Sequence, residues 1–156
     1  MAKADKSATI NHLHSAARLA RTALAARLLD HGFYAGQDQI MLALDQSDGQ
    51  TPGQLAARLG VRPPTITKTI NRLQVQGFLD KRASETDARQ AHIFLTETGR
   101  NTIRAIEKSV RKTEKQALKG LDKKEQKTLA KLLARIEANL SGNGVVVPDP
   151  EPDEVE

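Results

Sequence analysis

The stretch from Thr51 to Arg100 constrains this chain more than any other. It reads TPGQLAARLGVRPPTITKTINRLQVQGFLDKR and then ASETDARQAHIFLTETGR. Thr51 is a good N-cap, and Pro52 at the first helical position gives up no needed N–H, so a short helix starts there. Leu55, Ala56 and Leu59 face the core, and Gly60 supplies a tight turn. Pro63-Pro64 starts a second helix, predicted over Pro64 to Gln76, with Ile66, Ile70 and Leu73 as one narrow apolar stripe. Its other positions include Thr65, Thr67, Lys68, Thr69, Asn71 and Arg72, almost all polar, and Gly77 ends it. Phe78–Arg82 and Ala91–Leu95 read as two strands around the polar loop Ala83–Gln90. Thr96 then caps a long helix, with Glu97 in its first turn, where a negative charge suits the helix dipole.

The flanks are helical. Ile10, Leu13, Ala17, Leu24 and Leu28 form one stripe between Thr9 and Asp30, and Gly32 closes that helix. Gln37 to Gln46 is a second helix with Ile40, Met41 and Leu44 inward, followed by the turn Ser47-Asp48-Gly49-Gln50. After Thr96, Ile103, Ile106, Val110 and Ala117 carry a stripe to about Lys119. Asp122 with Glu125 forms an Asp-led capping box for a last helix bearing Leu129, Leu132, Leu133, Ile136 and Leu140. The fold class is mainly α with a small β-wing (α+β). It is a winged helix-turn-helix flanked by N- and C-terminal helices. The expected organisation is one domain over 1–141, with the winged unit at 36–99 and dimerisation helices at 9–35 and 100–141. A disordered acidic tail is expected over 142–156.

Composition narrows the partners. Aromatics are 3% of the 156 residues, so the core rests on Leu, Ile, Val and Ala. The net charge is +5, and five of the 19 acids (Asp149, Glu151, Asp153, Glu154 and Glu156) crowd the C-terminus. The body ahead of them is therefore more basic than the whole, which favours a polyanion, nucleic acid or an anionic surface. The chain has no cysteine, which excludes disulfides and thiolate metal sites. No apolar run approaches the roughly 18 residues of a membrane span, so no membrane partner is expected. The opening MAKADKS lacks the apolar region of a signal peptide, so a cytoplasmic location is expected. His12 and His14, two apart on a helix, point about 200° apart and suit no shared metal. No Ser/His/Asp grouping, Gly-rich phosphate loop or metal spacing is present, so the expectation is no enzyme, no metal and no cofactor.

A polar helix face beside a basic hairpin tip suits duplex DNA. Thr65, Thr67 and Lys68, in the first turns of the second helix, are candidates to read bases in the major groove. Asn71 and Arg72, one turn further, are candidates for the backbone, as are Lys81 and Arg82 at the base of the hairpin. Thr51 and Gln54 are expected to meet phosphate through N–H groups at the start of their helix. Asp87 cannot face phosphate usefully, so it holds Arg89 or braces the hairpin by accepting hydrogen bonds, or is an ordinary turn residue.

The pieces TPGQLAARLGV, PPTITKTINRLQVQGFL, DARQ and FLTETG, in that order and spacing, resemble the multiple-antibiotic-resistance regulator (MarR) family of bacterial transcription factors. The resemblance is detailed over roughly Gly36 to Gly99. It implies a homodimer on pseudo-palindromic operators, usually a repressor, released by a small aromatic or anionic effector. It also implies that Arg89 enters the minor groove, where a narrow groove concentrates negative potential. Many members carry two adjacent basic residues after the wing Asp. Here Ala88 intervenes and only Arg89 remains, which weakens a second wing contact. An effector pocket is expected between the dimer helices and the winged unit, with Arg18 as anion clamp and Tyr34 as aromatic wall. Two readings stay open beside this one. The terminal helices could pack only within the chain, and the protein could be an architectural DNA binder without an operator. A short, defined footprint separates the latter from a sequence-specific regulator.

Overall fold

The computed structural model describes residues 8–87 and 89–142. The helices are α1 (Ala8–Leu29), α2 (Gln37–Gln46), α3 (Pro52–Leu59), α4 (Pro63–Val75), α5 (Glu97–Ala117) and α6 (Lys123–Ser141). The strands β1 (Leu79–Ala83) and β2 (Ala91–Leu95) lie between α4 and α5. The mainly α architecture with a small wing is thus as expected. The acidic tail lies outside the described residues beyond Gly142. One compact unit ends at Ala117 and a second begins at Leu118.

In the first unit, the core is built from Leu28, Phe33, Ile40, Met41, Leu44, Leu55, Ile66, Ile70, Leu73, Ile93 and Ile106, all nearly or fully buried. Two helix ends feed it by the same device. At the end of α1, Gly32 stands at φ 81, its N–H meets Leu29 O, and Phe33 N–H reaches back to Leu28 O. At the end of α4, Gly77 stands at φ 87, its N–H meets Gln74 O, and Phe78 N–H reaches Leu73 O. Both are Schellman closures, in which a left-handed residue turns the chain and drops an apolar side chain back against the helix. The two side chains so delivered stack on each other, Phe33 on Phe78, with centroids 4.7 Å apart. This closure also corrects the expected strand over Phe78–Arg82. The Phe78 N–H is spent on the end of α4, so β1 starts at Leu79 and gains Ala83 instead. Likewise α4 begins one residue earlier than expected, because Pro63 occupies its first turn.

The wing pairs β1 and β2 antiparallel, from Leu79 opposite Leu95 to Ala83 opposite Ala91. Gln50 adds a bridge to Ile93, giving the hairpin a third, one-residue edge. Asp48 fastens that edge: its Oδ1 accepts the Leu95 N–H at 3.0 Å, and its Oδ2 meets Arg100 at 3.5 Å. Asp38 is an unusual member of the interior. Burial pushes its carboxyl above the usual range, and N–H groups of Asp38, Gln39 and Gly36 at the start of α2 pull it partly back.

The second unit holds α6, whose Asp122 accepts the Glu125 N–H while Glu125 accepts the Asp122 N–H, the capping box expected from sequence. No residue of α6 is buried; Leu132 and Leu140 are exposed. The α1 stripe is only partly covered in the first unit. Leu28 is buried, Leu13, Ala17 and Leu24 are half-buried, and Ile10 is exposed.

Where α5 begins, its backbone runs close against that of Phe78. A Cβ on Gly99 would stand 2.2 Å from the Phe78 carbonyl oxygen, which is backbone and cannot swing aside. Gly99→Ala is therefore expected to cost about 1–3 kcal/mol, the usual scale of overpacking. Gly53→Ala meets nothing closer than Thr51 Oγ1 at 3.9 Å, and should be neutral or gain about 0.5–1 kcal/mol from helix propensity. Urea unfolding of the two variants checks this, and equal effects would contradict it.

Candidate nucleic-acid interface

Helix α4 has two sides. Ile66, Ile70 and Leu73 are buried. At about 100° of turn per residue, Lys68 stands nearly opposite that stripe. Thr67 and Asn71 fall on one shoulder and Thr65 and Arg72 on the other, all exposed. The structure thus gathers all five helix residues singled out in the sequence on one solvent-facing surface. Lys68 makes no ion pair with a described residue.

The C-terminal end of this helix is held by a relay that the sequence did not reveal. Gln76 Nε2 donates to Gly32 O at 2.9 Å, and Gln37 Nε2 donates to Gln76 Oε1 at 2.9 Å. Gln37 Oε1 in turn accepts the Tyr34 N–H at 2.9 Å. Gln37 is 2% exposed, so its amide is spent wholly inside the protein. No periodicity signals such a relay; glutamines at the first position of one helix and the C-cap of another were the only trace.

Beside the relay is an open cleft of about 1060 Å³, lined by Tyr34, Gln37, Pro64, Thr67, Lys68, Asn71, Arg72, Val75 and Gln76. Of the two residues expected at an effector pocket, Tyr34 lines this cleft. Arg18 does not line this cleft, so the two residues expected to form one clamp are not brought together there.

The wing separates the two cations expected at its base. Lys81 pairs with Ile93 and Arg82 with His92, so they point to opposite faces of the hairpin. Lys81 lines a second cleft, of about 340 Å³, with Arg89, Thr51, Pro52, Gln90 and Ala91. Arg82 is turned onto the other face. Its Nε meets Asp80 Oδ2 at 3.3 Å and its guanidinium lies over the Phe94 ring at 4.5 Å. Lys81 and Arg89 are thus the wing's pair of cations in one place, and Arg82 is engaged elsewhere.

The start of α3 forms one wall of that second cleft. The phosphate contacts expected there change in detail. Thr51 Oγ1 accepts the Gln54 N–H at 3.1 Å, and Gln54 Oε1 accepts the Thr51 N–H at 2.9 Å. This capping box consumes the two N–H groups assigned to phosphate. Pro52 has none, so Gly53 is the N–H of that first turn left to an outside acceptor.

Asp87 has the bracing role. Its Oδ1 accepts the Arg89 N–H at 3.0 Å, and its carbonyl accepts the Gln90 N–H at 3.0 Å. Ser84 N–H closes the tip onto Gln90 O at 2.9 Å. Asp87→Ala should then speed amide exchange at Arg89 about fivefold, the worth of one net hydrogen bond, and leave the urea midpoint unchanged. Unaltered exchange at Arg89 would remove the bracing role.

His92 ties the hairpin to the loop after α2: its Nδ1 lies 2.8 Å from Gly49 O. Among the described residues no group of three or more His, Asp or Glu side chains could hold a metal ion. No described helix is long and apolar enough to cross a membrane.

Residues 37–90 match the MarR family model, a stretch that runs from α2 through α3, α4 and β1 to the last residue before β2. Among solved structures, the transcriptional regulator SlyA superposes with a TM-score of 0.80 at 23% identity, covering 86% of this chain and 95% of that one. A probable transcriptional regulator from Pseudomonas aeruginosa does so at 0.75 and 26%, covering 85% and 97%. A variant of MarR from E. coli complexed with operator DNA does so at 0.77 and 21%, covering 85% and 98%. Residues 37–90 are thus similar to the MarR family, within a chain that has the winged-helix fold of these solved regulators.

Proposed function

We propose that this chain is a sequence-specific regulator that binds double-stranded DNA as a homodimer on pseudo-palindromic operators. We read it as a repressor, released by a small aromatic or anionic effector. The observation that carries the DNA-binding reading is the polar side of α4, with Lys68 at its pole, followed in the chain by a braced wing that holds Arg89 beside Lys81. A helix of this kind fits the major groove, and a long wing cation fits the neighbouring minor groove. The same fold in E. coli MarR has been solved with operator DNA, which supports the reading. The cleft of Tyr34, Pro64 and Val75 beside Lys68 and Arg72 supports an effector that is apolar and anionic at once.

The dimer rests on apolar surface. Ile10, Leu19 and Leu29 of α1, and Leu132 and Leu140 of α6, are left exposed. A second copy related by a two-fold axis would cover them. Sedimentation at micromolar concentration should give twice the 17.0 kDa of one chain. A persistent single-chain species at high concentration would remove the dimer from the account.

Binding titrations over a randomised operator at two salt concentrations test the contacts. Lys68→Ala should relax preference at one core position, since a good base contact discriminates by about 1–3 kcal/mol. Arg89→Ala should weaken many sequences, A·T-rich flanks most, and flatten the salt dependence by about one ion. If Arg89→Ala binds every sequence as tightly as the parent, the wing takes no part.

A further inference from the structure

Two threonines on the exposed side of α4 carry the same side chain in different states. Thr67 Oγ1 donates its proton to Pro63 O, one turn back, at 3.0 Å. The Thr65 hydroxyl makes no hydrogen bond with a described residue; only its carbonyl is used, by Thr69 Oγ1 at 2.9 Å. A hydroxyl has one proton to give. Thr67 has already given its proton to the backbone, and the bond to the carbonyl fixes a side chain that is stiff at χ1. What the exposed Thr67 side chain offers outward is its Cγ2 methyl, with a hydroxyl oxygen that can now only accept.

The major-groove edge of a base pair carries one apolar feature, the C5 methyl of thymine. Of the other outward groups of this helix, Pro63 and Pro64 are apolar and in the first turn, and they are unchanged in a Thr67→Ser variant, which therefore separates them from Thr67. Lys68 is a cation and Asn71 an amide, and Thr69, whose hydroxyl is also tied back, is half-buried. Val75 is apolar and exposed, but it ends the helix, whereas base edges are met by the N-terminal turns. We propose that Thr67 is a specificity-determining residue that selects a thymine through contact between its Cγ2 methyl and the thymine C5 methyl. Thr65, with its proton free, makes the hydrogen-bonding contact. This rests on the reading of the chain as a duplex-DNA binder.

The test uses the full chain and the best duplex it selects from a randomised library. Each thymine is replaced singly by deoxyuridine, which removes only the C5 methyl. The comparison includes Thr67→Ser, which keeps the hydroxyl bond to Pro63 and loses the methyl, and Thr65→Ser as a control. Circular dichroism checks that both variants keep the parent's helix content. At one thymine in each half-site, deoxyuridine should weaken the parent about fourfold, the worth of one buried methyl-sized contact. Thr67→Ser should bind the two duplexes equally, and Thr65→Ser should keep the fourfold difference. If no deoxyuridine weakens the parent, or if Thr67→Ser keeps the difference, the methyl readout is wrong while DNA binding stands. If no duplex is selected at all, the proposed function fails first, and the inference with it.

Discussion

The structure depends on how the end of α4 is fastened to the end of α1. Two Schellman turns bring Phe33 and Phe78 face to face, and the Gln76–Gly32 and Gln37–Gln76 hydrogen bonds lie alongside. The aromatic pair contributes about 0.5–1.5 kcal/mol beyond the area it buries. Its larger effect is geometric. The helix proposed to read DNA needs a fixed axis, and the last turn of α4 is tied to a flanking helix and to the start of α2. The polar half of the clamp is fully paired, so a buried glutamine costs nothing in unmet hydrogen bonds and adds direction that an apolar contact lacks.

The wing is fixed by a different set of contacts, and these explain why its cations are not equivalent. Asp48, Gln50 and His92 tie the hairpin base to the loop after α2, and Gly99 lets α5 start directly against Phe78. On this base the period-two alternation of a strand decides each side chain's face. Lys81 falls on the side of α3 and Arg89 joins it at the tip. Arg82 falls on the far side, where Phe94 and Asp80 occupy it. An exposed pair of that kind contributes little to stability. Its consequence is to hold Arg82 away from the cleft.

Local chemistry was legible in the sequence. The Gln37–Gln46 helix, the Thr51 and Asp122 caps, the stripe of Ile66, Ile70 and Leu73 and the order of the winged unit follow from periodicity and capping residues. The misses arise where one group has two suitors. Phe78 looks like a strand residue by type, but its N–H was taken by Leu73 before the strand could use it. Thr51 and Gln54 look like phosphate ligands by position, but they satisfy each other. Long-range side-chain pairs such as Gln37 with Gln76 leave no periodic trace, and neither does the burial of Asp38. In the candidate site the residues of α4 were found as a set. The division between Lys81 and Arg82 needed the register of the hairpin.

We propose that two copies of this chain read one duplex through paired α4 helices and wings. A hydroxyl-radical footprint of the full chain on its best selected duplex tests it most directly. The account requires two protected patches related by a two-fold axis, centred about one helical turn, roughly 34 Å, apart on one face of the DNA. Protection should extend into the flanking minor grooves. A single patch, or uniform protection that does not depend on sequence, would contradict it.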